Sequence, residues 1–126
     1  MPVFLFGERQ GSSVKTLVRN LFAELPSLAE GEDFDELLRC RNLRIERILS
    51  SPVPDSRPYD QPQDEWVILL EGRATLEIAG ETVRLKPGDH VFLPAHTPHR
   101  VLSADPRPRC IWLAVHLLPL EDDVAR

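Results

Sequence analysis

From Leu43 onward, Gly and Pro interrupt the chain so often that no apolar stretch is long enough to serve as a helical crossover between parallel strands. Between these breaks the hydrophobic pattern has a period of two. Leu43 to Leu49 is strand-like, although its apolar and charged residues alternate imperfectly, and residues 50–62 read as a loop carrying Pro52, Pro54, Pro58 and Pro62. Glu65 to Glu71 is a mostly apolar run closed by Gly72. Ala74, Leu76 and Ile78 alternate with Thr75 and Glu77, and Ala79-Gly80 is a tight turn into Val83 and Leu85, a hairpin pattern. Pro87-Gly88-Asp89 is a further turn, His90 to Leu93 a short strand, and Pro94 to Pro98 a loop. His99 to Leu102 is extended, Ala104 to Pro108 a polar turn, and Cys110 to Leu117 a last apolar strand. About six or seven short strands in this order select an antiparallel all-β sandwich or barrel.

The beginning of the chain reads differently. Ser12 or Ser13 is placed to cap a short helix carrying Val14, Leu17, Leu21 and Phe22, which Pro26 stops. A second helix is predicted from Asp33 to Arg39, with Phe34, Leu37 and Leu38 on one face. Residues 1–42 are thus expected as a helical arm packed on a barrel formed by 43–120, with 121–126 as a tail.

With 126 residues the chain suffices for one hydrophobic core, so any site is built from that core or at a dimer interface. A formal net charge of -5, with scattered basic residues, argues against nucleic acid or an anionic membrane as partner. The apolar run from Pro2 to Phe6 is too short for a signal peptide or a membrane span, which predicts a cytoplasmic protein. Cys40 and Cys110 have no CxxC spacing and are expected as reduced, partly buried thiols. The Ile111 to Leu117 strand is a candidate exposed edge through which a homodimer would form by sheet extension.

Two stretches carry the candidate chemistry. The first runs from Tyr59 through Gln61, Glu65 and Gly72, and the second from Gly88 through Pro94 and His96 to His99. Tyr59, Gln61 and Glu65 share parity, so in an extended chain they point to one side of the sheet. A carboxylate at Glu65, amid Trp66, Val67, Ile68 and Leu69, needs a cation or a hydrogen-bond donor, and His99 is the obvious partner. His96 offers another nitrogen donor near His99. His116 shares parity with Trp112 and Ala114, though a lone histidine in an apolar strand more often makes a core hydrogen bond. His90 reads as structural, and Gly72, Gly80 and Gly88 as turn residues.

These stretches resemble the two sequence motifs of the cupin superfamily. In the first, Glu65 and Gly72 fall at the motif spacing, but Tyr59 and Gln61 stand where that family has histidines. In the second, Gly88, Pro94 and His99 are in register, while His96 replaces a glycine and Ser103 an asparagine. The resemblance implies a double-stranded β-helix barrel, commonly dimeric, with a divalent metal held by inward residues of both motifs. Here those ligands would be Gln61, Glu65 and His99, with His96 as a further nitrogen donor; with the Tyr59 phenol, Gln61, Glu65 and His99 form an oxygen-rich set suited to Fe(II), Mn, Ni or Zn. One functional reading is a metal-dependent oxygenase, isomerase or lyase in which Glu65 or Tyr59 moves a proton on a small organic ligand. A second is a binding or sensing module without turnover or metal. A third is a metal-free site with Glu65 and His99 as an acid/base pair.

Overall fold

Alternating residues on short strands give each strand one face for the core, and two sheets close over those faces. The computed structural model describes residues 17–55, 57–107 and 109–120. It contains β1 (Glu32–Cys40), β2 (Leu43–Ser50), β3 (Asp64–Glu71), β4 (Ala74–Ile78), β5 (Glu81–Leu85), β6 (His90–Leu93), β7 (His99–Ala104) and β8 (Cys110–Leu117). The larger sheet has the order β1-β2-β8-β3-β6 and the smaller β5-β4-β7. All pairings are antiparallel. Val67, Leu69, Leu93, Trp112 and Ala114 from the larger sheet meet Ala74, Leu76, Leu85 and Ala104 from the smaller one in a common core.

The predicted strands from Leu43 onward are all present, and so is the hairpin turn. Ala79 and Gly80 both adopt positive φ, 50° and 85°, as the twist of a two-residue hairpin favours. Gly72 has φ 84°, and a Cβ there would lie 2.8 Å from Cys110 Sγ and 3.0 Å from Arg109 O, so position 72 demands a glycine for space as well as for conformation. Cys110 is buried and its thiol is pushed up to about 11 by desolvation, whereas Cys40 is exposed, not partly buried.

Three expectations are corrected. Residues from Asp33 to Arg39 lie in β1, not in a helix. The β1–β2 register shifts between Glu36 and Leu38, and this bulge breaks the alternation of Phe34, Leu37 and Leu38 into an apparently helical spacing. Leu21 and Phe22 lie in a turn where Phe22 N–H donates to Asn20 Oδ1 (2.8 Å), while Ser12, Ser13 and Val14 fall outside the described residues. The N-terminal arm therefore supplies a strand to the barrel where the second helix was expected, and the first helix, of which Leu17 is helical, does not extend through Leu21 and Phe22. Finally, β8 is paired on one side by β2 and on the other by β3, so the Ile111 to Leu117 segment is central and offers no edge for dimerisation. The proposed tail, 121–126, lies outside the described residues.

The imperfect pattern of β2 has a physical cause: the strand is buried on both faces. Arg44, Glu46 and Ile48 line the interior cavity, while Arg47 and Leu49, of opposite parity, are buried at 5% and 0% exposure. Arg47 Nη1 donates to the carbonyls of Leu21 (2.9 Å) and Ala23 (3.0 Å), and its Nη2 to Asp35 (3.3 Å). Arg109 Nη1 donates to Pro26 O. Residues 21–26 are thus tied across the outside of the larger sheet. No helix among the described residues is long and apolar enough to cross a membrane.

Candidate functional site

Antiparallel register assembles the site. Glu65 on β3 lies opposite His116 on β8, which in turn lies opposite Arg44 on β2. Before β3, Tyr59 forms an isolated bridge with His99 at the start of β7 (Tyr59 N to His99 O, 2.7 Å; His99 N to Tyr59 O, 3.0 Å). His96 N–H donates to Gln61 O (2.7 Å), so both motif stretches are held side by side. They open onto a cavity of about 370 Å³. Its polar lining includes Glu32, Arg44, Glu46, Gln61, Glu65 and His99, against an apolar wall of Ile48, Val67, Leu76, Leu93 and Trp112.

Glu65 is 5% exposed. Gln61 Nε2 donates to its Oε1 (2.7 Å), and His99 Nε2 stands 3.6 Å from the same oxygen. On the other side of the imidazole, Nδ1 of His99 lies 2.9 Å from Thr97 O. A carbonyl can only accept, so Nδ1 carries a proton and Nε2 is the atom presented to Glu65. A neutral ring would face the carboxylate with a lone pair. The arrangement suits one additional proton shared by the pair or delivered to a ligand lodged beside it.

A second His–Glu pair lies behind the first. His116 Nε2 bonds Glu46 Oε2 at 2.7 Å, and Gln63 Nε2 reaches its Nδ1 at 3.3 Å. The Gln63 amide donates, so His116 Nδ1 accepts and Nε2–H is given to Glu46. His116 Nε2 is 4.0 Å from Glu65 Oε2.

Tyr59 lines the cavity, but its hydroxyl lies 3.2 Å from Glu32 Oε1 and 3.1 Å from Asp55 Oδ2. Burial, then the Glu32 charge and the Asp55 bond, push the phenol well above its ordinary range, so it is held as a hydrogen-bonding group, not as a base. Glu32 is itself raised, chiefly by burial, against the opposing bonds from Ser50 and Tyr59. One phenolic proton can serve only one of two ionised carboxylates. A protonated Glu32 lets the hydroxyl bridge both.

His96 is placed elsewhere. Its side chain is 69% exposed and pairs with Asp60 (3.0 Å), outside the cavity lining, and its φ of 60° explains why a glycine suits this motif position. His90 receives Trp66 Nε1–H (3.2 Å). Glu32, Arg44, Glu46 and Gln63 were not among the residues anticipated. For Arg44 and Glu46 the signal was available: they share parity with Ile48, so the imperfect alternation of Leu43 to Leu49 marks charges on an inward face.

These features define a small antiparallel barrel with a polar site in its lumen. The chain belongs to the cupin family, whose Cupin domain profile matches residues 52–116. It is 42% identical to a Ralstonia eutropha JMP134 protein provisionally named a mannose-6-phosphate isomerase, covering 81% of this chain and 98% of that one with a TM-score of 0.71. KdgF from Halomonas sp. shares the fold at 20% identity (73% of this chain, 83% of that one, TM-score 0.63). So does the cupin domain of an XRE family transcriptional regulator from Enterobacter cloacae, at 19% identity (72% and 100%, TM-score 0.61). No curated protein matches the sequence.

Cupins commonly hold a divalent metal, and the donors present here can be compared with what such an ion requires. Glu65 and His99 converge, but Gln61 directs an N–H at Glu65, His116 Nε2 is engaged by Glu46, and His96 lies outside. Among the described residues no group of three or more His, Cys, Asp or Glu is arranged to hold an ion. A resident transition metal ordinarily takes at least three protein ligands, so this set does not fit one.

Proposed function

We propose that this cupin binds a small hydroxylated organic molecule in the barrel and that Glu65 and His99 transfer a proton on it. The observation that carries the reading is the buried Glu65–His99 pair, separated by 3.6 Å at the wall of a cavity of about 370 Å³. Isomerisation of an α-hydroxy carbonyl compound fits such a pair. The Glu65 carboxylate takes the α-proton, His99 Nε2–H gives its proton to the carbonyl oxygen, and the resulting enediol is reprotonated at the neighbouring carbon as the two groups recover their states. Gln61, bonded to Glu65 Oε1, would fix the carboxylate in position. The provisional name of the Ralstonia protein describes a reaction of this class. Because the donor set falls short of a metal site, this reading is preferred to metal-dependent oxygenase or lyase chemistry.

The test is hydrogen exchange in D2O. Small sugar phosphates, sugar acids and neutral sugars are incubated with the protein, and loss of the α-proton signal is followed by NMR. Exchange that disappears in Glu65→Gln is the expected result. Binding with no exchange would establish the non-catalytic module instead.

A further inference from the structure

Resting on the assignment of the cavity as a ligand site, we infer that Arg44 is the residue that selects the ligand's charge, by binding an oxyanion, a carboxylate or a phosphate, at the β2 side of the pocket. Each cavity carboxylate already has a polar neighbour: Glu32 has Ser50, Glu46 has His116, and Glu65 has Gln61. Arg44 differs. It lines the cavity, and its Nε is buried with no hydrogen-bond partner among the described residues. Glu36 on β1 feels its charge, but that carboxylate is bonded by Arg39 Nη2 at 2.8 Å.

A buried N–H left without an acceptor is unfavourable, and more so on a charged group. Arg47, three strand positions further and buried in the same way at Nε, uses its remaining nitrogens on Leu21, Ala23 and Asp35 to anchor the arm. Arg44 faces the lumen instead. A guanidinium there presents a planar fork that suits the two oxygens of a carboxylate or phosphate.

Register gives the ligand a length. Arg44, His116 and Glu65 form one cross-strand row on β2, β8 and β3. With strands about 4.8 Å apart, the Arg44 and Glu65 backbones are separated by about 10 Å. One molecule can therefore place its anionic end on Arg44 and its reacting carbons at Glu65 and His99. This selects a sugar acid or sugar phosphate over a neutral sugar.

Inorganic phosphate and acetate, titrated separately at ionic strength held constant with chloride, test the site without knowledge of the natural ligand. The readouts are the Arg44 Nε–H resonance in the wild type and, in every variant, the Trp112 indole N–H and the backbone amides of β2, β3 and β8 in 1H–15N spectra. A saturable shift with either anion is expected, its preference reporting which headgroup the site takes. Arg44→Gln should weaken binding about 10-fold, the loss of one charge-assisted bond, with Arg44→Lys intermediate and His96→Asn, whose side chain lies outside the cavity lining, unchanged. No shift beyond the chloride control, or wild-type anion affinity in both Arg44 variants, would overturn the inference. Retained anion binding with no α-proton exchange would overturn only the proposed reaction.

Discussion

The barrel contains two buried His–Glu pairs that differ by less than an ångström in separation and, on the geometry, entirely in role. His116 and Glu46 meet at 2.7 Å with Gln63 behind the ring, so every imidazole nitrogen is satisfied and the pair ties β8 to β2. His99 and Glu65 stand at 3.6 Å, with Thr97 fixing the ring from behind and the cavity at the gap. A direct hydrogen bond is already closed at the first distance and is not made at the second. A saturated pair ties two strands together; a gapped one leaves the Glu65 carboxylate and His99 Nε2 facing the cavity, the feature on which the proposed function rests.

The largest effect should come from breaking the saturated pair. Glu46→Ala leaves His116 buried with an unpaired N–H and is expected to lower stability by about 2 to 3 kcal/mol, read from the denaturant midpoint. Glu65→Gln should cost less than about 1 kcal/mol in the same assay, because Gln keeps a hydrogen-bonding group beside Gln61. It should nevertheless reduce α-proton exchange by about 100-fold or more. Equal destabilisation by both substitutions would erase the distinction between the pairs.

Metal loading sharpens the gapped pair from another side. A tight site would add about 2.7 kcal/mol of stability at a metal concentration about 100 times its Kd. For Zn, Mn, Ni or Fe(II) the expected gain is below about 1 kcal/mol, since only two strong donors converge. Stoichiometric metal in the purified protein, lost in His99→Ala, would instead make Glu65 and His99 ligands.

The smallest effect concerns the rim. The folded-state pKa of Glu32 is raised above the ordinary 4.5, mainly by burial, so the folded protein holds that proton more tightly than the unfolded chain. Its contribution to stability is full below 4.5 and is lost as pH rises through the folded value. Glu32→Gln, which cannot ionise, should therefore gain on the wild type as pH climbs from 4 toward 7, a trend thermal melts across about that range would show. A flat difference would mean that Glu32 is not held protonated beneath Tyr59.

Strand positions from Leu43 to Leu117 were legible because each depends on local alternation and on turns that demand particular residues. Glu65 and His99 were legible because their spacings from Gly72 and Pro94 survive while the neighbouring motif positions have changed. β1 was misread because a bulge gives a strand the spacing of a helix. Tyr59 was found, but the direction of its hydroxyl, toward Glu32 and Asp55, depends on two segments that meet only on folding.

By itself, then, the sequence determined an antiparallel barrel and four of its cavity residues, Tyr59, Gln61, Glu65 and His99, since periodicity, turn chemistry and motif spacing are properties of neighbouring positions. Only the tertiary structure decided that His96 stays outside, that His116 is tied to Glu46, and that Arg44 shares a row with Glu65. Those relations are set by the register between strands far apart in the chain, and a shift of one residue would turn every one of these side chains to the opposite face.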